Sequence, residues 1–232
     1  MSYIISYVGA GGKTSSIYQD ATVFAGERKK VLITTTTHMY IPEDMPFIDG
    51  RTKSCELLQK EVAAVFKNSR ICVCGTILSD SEKRDTHVVG NEAAIEKYKR
   101  EPEKFKALIT EQLTAICKEA DIVLVEADGA AHKAAKAPEE WEPAVYEGSD
   151  RVVIVMGLHA VGKRVDEACH RTECVKRVLG CDGSHLLTEA DLDVLMEVYE
   201  KKIGQQFPVE IDTKTLSDIA QTTDGNFYRA TN

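Results

Sequence analysis

Gly9, Gly11 and Gly12 stand together just before Lys13, Thr14 and Ser15, and that grouping has the makings of a phosphate site. A phosphate needs several donors converging at close range, and glycines permit this because they lack a Cβ and reach positive φ. The backbone of Gly9, Ala10, Gly11, Gly12, Lys13, Thr14 and Ser15 would form the cradle, at the positive end of a helix beginning near Lys13. Lys13 would reach the β and γ phosphates of ATP or GTP, and the Thr14 hydroxyl would hold Mg2+. The spacing departs from the P-loop pattern GxxxxGKS/T, because Tyr7 occupies the first glycine position; what stands here is GxxGKTS. The rival reading is a glycine turn joining strand to helix, with a surface lysine.

Carboxylates of the right kind occur later. An apolar run at residues 121–125 ends in Glu126, Ala127, Asp128 and Gly129, the pattern of a Walker-B-like strand whose acid meets Mg2+ or its waters. Glu126 and Asp128 alternate by two, so both can point to one face. Capping of the following turn would use the same residues. Thr34 to Thr37 close another β-branched run; Thr36 and Thr37, nearest its end, are candidates to meet the γ phosphate, the metal or an attacking water. Plain β-propensity explains these threonines as well.

These residues need a scaffold that brings strand ends together, and the chain alternates strand and helix patterns. Residues 3–8, 30–36, 70–75, 121–126 and 151–156 read as short buried strands, and 13–25 and 52–67 as helices. Pro42, Pro46 and Asp49-Gly50 punctuate a loop, and residues 76–89 read as a loop or hairpin. Residues 91–119 are helical in pattern with a break at Pro102, and the charge run 96–106 is a solvated face. Thr188 with Asp191 makes a capping box ahead of Leu192, Leu195, Met196 and Tyr199 at helical spacing. The expected fold is α/β: a doubly wound, mostly parallel sheet forming a P-loop nucleotide-binding domain over residues 1–212, with 213–232 a mobile tail.

Composition excludes several function classes. The 232 residues are 43% hydrophobic and 28% charged, as in an ordinary globular protein. A formal charge of −8 argues against a broad nucleic-acid surface, which needs clustered Lys and Arg. Seven cysteines without a basic leader do not resemble a secreted disulfide framework, so a reducing, cytoplasmic setting is expected. No apolar run approaches the ~20 residues needed to span a bilayer, so no membrane partner is expected.

In combination the chain resembles the YqeC family, accessory or selenium-cofactor biosynthesis proteins for selenium-dependent molybdenum hydroxylases. The resemblance rests on the turn ending at Thr14, on Thr34 to Thr37, and on Glu126 to Ala130. It also rests on Lys136-Ala137-Pro138, Glu142-Pro143, Gly157-Leu158, Gly162-Lys163 and His170-Arg171. It departs where an arginine is replaced by Ala131, a histidine by Trp141 and a proline by Tyr146. The family implies a nucleotide, a selenium or molybdenum cofactor species and a molybdenum hydroxylase as partners. It also brings in Lys136, Glu142 and Arg171 as candidates. Lys136 and Arg171 would neutralise a transferring phosphoryl group or bind an anionic substrate, Arg171 joining Lys13, Glu126 and Asp128 as a catalytic candidate. A structural ion pair is the competing role. Cys72 and Cys74 alternate on one strand, and Cys169 and Cys174 flank His170 and Arg171 on an expected helix; small apolar core residues is the preferred reading.

The first functional expectation is Mg2+-dependent NTP hydrolysis or phosphoryl transfer in cofactor maturation. A noncatalytic nucleotide-switched binding module or chaperone is the second, and an ATP-dependent Mur-like ligase the third, since the compact GxxGKTS turn is similar to the phosphate loop of the Mur ligases.

Overall fold

The computed structural model describes residues 1–79 and 103–211. The architecture is α/β with a mostly parallel sheet, and the chain clusters into two compact units. One comprises Met1–Tyr3 with Ala21–Leu124, the other Ile4–Asp20 with Val125–Asn232.

In the second unit, β1 (Tyr3–Gly9) is buried at every position after Tyr3, which is why its sequence runs largely apolar instead of alternating. It lies parallel to β9 (Arg151–Val155), with Ile5 opposite Arg151 and Gly9 opposite Val155. On β9's other side runs β11 (Val209–Ile211), also parallel. Strand β7 (Ile122–Glu126) gives this unit its last two residues, and Ala127 N donates to Tyr7 O at 2.9 Å just beyond its end. The helix α1 (Lys13–Gly26) starts three residues after β1. A short parallel pair, β8 (Ala135–Lys136) with β10 (Cys169–His170), sits between the main strands in sequence. The helices α4 (Val165–Ala168), α5 (Thr172–Leu179) and α6 (Glu189–Ile203) complete the unit. The Thr188–Asp191 capping box is formed, and α6 buries Leu192, Leu195, Met196, Tyr199 and Ile203. That spacing lays one apolar stripe on the core containing Val152, Ile154 and Met156.

In the first unit, β2 (Val31–Thr35) is fully buried and parallel to β5 (Ile71–Ile77). The short β4 (Phe47–Asp49) also pairs parallel with β5, and β3 (His38–Tyr40) pairs antiparallel with β6 (Lys104–Lys106). Helices α2 (Cys55–Val65) and α3 (Thr110–Cys117) pack together; Ser54 caps α2 by accepting from Leu57 N. Gln112 of α3 donates to the carbonyls of Gly50 and Lys53, tying down the turn between β4 and α2.

Several sequence expectations need correction. Lys104–Lys106 is a strand where a helix was expected, because Lys-Phe-Lys alternation drives Phe105 to zero exposure between β5 and β3. The punctuated loop after β2 contains β3 and β4: Val73 N donates to Pro46 O, so the edge of β5 is paired despite the prolines. Cys169 and His170 lie in β10, and the helix begins only at Thr172. The first unit's β5 also runs two residues past Gly75, into the segment expected to be a loop or hairpin. The rest of that segment from residue 80, the helix pattern and charge run up to residue 102, and the tail fall outside the described residues. Among the described residues no helix is long and apolar enough to cross a membrane.

Candidate functional site

The turn after β1 is built on three conformational demands within four residues. Gly9, Gly11 and Gly12 have φ of 94°, 70° and 139°, values that favour glycine. A Cβ on Gly9 would stand 2.1 Å from Val155 O, and one on Gly11 would stand 2.3 Å from Ala134 O and 2.7 Å from the Gly157 Cα. The turn is therefore pressed against the ends of neighbouring backbone segments and admits no side chain at those two places. Ala10 N donates to Val155 O at 2.9 Å, stitching the turn to β9. Beyond it α1 opens at Lys13, and the first amides of a helix have no intrahelical acceptor. Such a helix end attracts an anion.

Two side chains of this helix start meet the end of β7. The Thr14 hydroxyl donates to Glu126 Oε2 at 2.8 Å. The Lys13 ammonium donates to Gly9 O at 2.9 Å and lies 3.9 Å from Glu126 Oε1. Both charged groups are buried, and their shifts follow from that. Burial lowers the Lys13 pKa against the pull of the Glu126 and Asp128 charges, and burial raises the Glu126 carboxyl against Lys13 and the Thr14 hydrogen bond. Ser15 is exposed on the outer face of the same helical turn.

Asp128 occupies a different position from Glu126, although both are buried. Its Oδ2 accepts from Gly9 N at 3.2 Å and from the Tyr199 hydroxyl at 2.6 Å, and its Oδ1 accepts from Lys136. Asp128 thus grips the first glycine of the turn from below. Lys136 is wholly buried, and its ammonium has three acceptors: Asp128, Gly129 O at 2.7 Å and Glu142 Oε2 at 2.9 Å. Three donors meeting three acceptors is the condition under which a buried ammonium is tolerated.

The chain of charges continues outward. Glu142 Oε1 accepts from Arg171 at 3.0 Å, and Oε2 also accepts from Glu139 N at 3.1 Å. Desolvation pulls the Glu142 carboxyl upward, but hydrogen bonds from Arg171, Lys136 and the Glu139 amide outweigh it and hold the pKa down to about 2. Arg171 sits at φ 55°, ψ 51°, a left-handed conformation just before α5, and its guanidinium carbon lies 5.9 Å from the ring centre of the exposed Trp141. A non-glycine residue held there costs about 1–3 kcal/mol, so the Glu142 pair and the start of α5 must hold it.

The structure thus brings Lys13 and Thr14 together at Glu126 and joins Asp128, Lys136, Glu142 and Arg171 in a chain of ion pairs, all in the second unit, with Gly9 linking the two groups through its carbonyl to Lys13 and its amide to Asp128. Thr36 and Thr37 belong to the first unit, following β2, where the Thr35 and Thr37 hydroxyls are 3.2 Å apart. The Thr34 hydroxyl is buried without a partner among the described residues. The cysteines read as core: burial pushes Cys72 up to about 12 and Cys169 up to about 11, and raises Cys74 and Cys174. Sequence reasoning missed Tyr199 as a partner of Asp128. Its place in the apolar stripe of α6 marks it as core, and nothing in the sequence distinguishes a bonded phenol there from a packed ring. Among the described residues no group of three or more His, Cys, Asp or Glu side chains is arranged to hold a metal.

No solved structure matches this chain. The uncharacterized protein YqeC of Escherichia coli (strain K12) is 30% identical over 194 residues, which cover 83% of this chain and 67% of that protein. The family model described as YqeC protein matches residues 5–173, from within β1 to the first turn of α5, and includes every member of the buried charge network except Tyr199. The chain belongs to the YqeC family.

Proposed function

We propose that the glycine turn binds the phosphates of ATP or GTP, and that the protein hydrolyses the nucleotide or transfers its phosphoryl group in a cytoplasmic step. The step serves maturation of the cofactor of a selenium-dependent molybdenum hydroxylase. The observation that carries the reading is the joint between β1 and α1. Positive-φ glycines lead into a helix whose first residues, Lys13 and Thr14, both meet the buried carboxylate of Glu126.

The amides of Gly9 and Ala10 are committed to Asp128 and Val155, so the anion cradle is the stretch from Gly11 to Ser15. Lys13 supplies the cation for the outer phosphates, moving from the Gly9 carbonyl to the ligand. Thr14 and Glu126 offer hydroxyl and carboxylate oxygens side by side, a donor pair that suits Mg2+, which takes one or two carboxylates together with phosphate oxygens. When bound, the ion would neutralise charge on the phosphoryl group. Asp128, whose two oxygens are occupied by protein donors, supports the turn. Arg171, partly exposed at the outer end of the network, is the cation available to an anionic cofactor species or to the transferring group.

Single-turnover release of inorganic phosphate from Mg-ATP and Mg-GTP tests the enzymatic half. The wild type should release phosphate from one of them, and Glu126→Gln should retain binding while releasing little. Binding without release, with the hydroxylase present as well as absent, would replace hydrolysis by a nucleotide-operated switch.

A further inference from the structure

We propose that Tyr199 is a positioning residue for the phosphate turn, acting through Asp128; this rests on the phosphate reading above. Tyr199 is fully buried on α6, among side chains that pack by shape alone. A phenylalanine would fill that position, and a buried hydroxyl is costly unless it is bonded. The phenol's bond is to Asp128 Oδ2, at 2.6 Å, the same oxygen that accepts the Gly9 amide. Burial, and then the Asp128 charge, hold the phenol well above its ordinary pKa, so it remains a donor.

The carboxylate is therefore fixed by donors from three directions: Gly9 in the turn, Lys136 in β8 and Tyr199 in α6. Remove the phenol and the Lys136 ammonium becomes the dominant pull, on the oxygen that does not hold Gly9. Three residues on, Lys202 donates to Glu140 O at 2.9 Å and to Glu139 O, just ahead of Glu142. One face of α6 thus grips the network at Asp128 and again at the segment presenting Glu142. This helix lies beyond residue 173, outside the span the family model matches. The turn's geometry consequently depends on a part of the chain the shared motifs do not include.

The test compares Tyr199→Phe with Met196→Leu, a core change on the same helix, using the full chain. Two readouts are taken: the backbone amide resonance and hydrogen exchange of Gly9, and the affinity for Mg-ATP and Mg-GTP. Hydrogen bonds to charged groups are strong enough that Tyr199→Phe should weaken nucleotide binding by about fivefold or more. It should also shift the Gly9 amide and speed its exchange, whereas Met196→Leu should leave both near wild type. Should Tyr199→Phe not fold, 3-fluorotyrosine at position 199, which keeps the shape and strengthens the donor, should shift the Gly9 amide in the opposite direction. A Gly9 amide and an affinity indifferent to either change overturn the proposal. A wild type that binds neither nucleotide overturns the phosphate reading and the role in it, while the Gly9 amide still decides whether Tyr199 holds the turn.

Discussion

Alanine at Gly11 and alanine at Gly12 should differ sharply in cost, although the two are neighbours in one turn. Both place an L side chain at positive φ, 70° and 139°, and that strain alone is roughly 1–3 kcal/mol. At Gly12 the new Cβ meets only the Val155 Cγ1 atom at 3.6 Å, an ordinary contact. At Gly11 it stands 2.3 Å from Ala134 O, and must retreat by 1.1 Å before the contact reaches 3.4 Å. The obstacle is backbone: Ala134 O accepts from Gly157 N at 2.9 Å, and Gly157 Cα blocks the other side at 2.7 Å. Yielding means stretching that hydrogen bond, about 1 kcal/mol, and opening packed backbone, so Gly11→Ala should cost about 2 kcal/mol more than Gly12→Ala. Urea unfolding followed by far-UV circular dichroism measures the difference as a shift in midpoint at unchanged slope. Equal midpoints for the two variants would refute the claim that the turn is wedged against Ala134 and Gly157.

Two further outcomes follow from the buried charges. Lys136→Met leaves the buried Asp128 and the half-buried Glu142 without their shared cation, so it should cost about 3–5 kcal/mol in the same unfolding assay; a loss below about 1 kcal/mol would show the network to be dispensable. Glu142 has a folded pKa of about 2 against an ordinary 4.5, so its pairs with Arg171 and Lys136 stabilise fully above about 4.5 and are lost as pH falls toward 2. Glu142→Gln should therefore be less stable at neutral pH and show a shallower decline than wild type across that window, and parallel declines would contradict the assignment.

Much of the second unit was legible in the sequence because its signals are local. The apolar runs of β1, β7 and β9, the glycines of the turn and the Thr188 box each report on their own immediate backbone. What escaped depends on partners distant in sequence. The strand at Phe105 exists because β5 and β3 both offer it pairing, and its flanking lysines disguise it as a solvated helix face. The division of labour between Glu126 and Asp128 is invisible in their spacing of two, because it is set by Thr14 and Lys13 on one side and by Lys136 and Tyr199 on the other. Arg171 reads as a helix residue by composition, yet its left-handed backbone places it ahead of α5, facing Glu142. The family motifs named Lys136, Glu142 and Arg171 together, and the structure joins the two cations at the Glu142 carboxylate.

Phosphate binding at the turn is tested most directly by calorimetric titration of Mg-ATP and Mg-GTP into the wild type and Lys13→Ala, each confirmed folded by circular dichroism. One of the two nucleotides should bind the wild type with a saturable heat that falls at least about tenfold in affinity without the ammonium, since a charge-assisted contact to phosphate is worth about 1.5–3 kcal/mol. Binding that survives Lys13→Ala unchanged, or no binding by the wild type, would contradict the account.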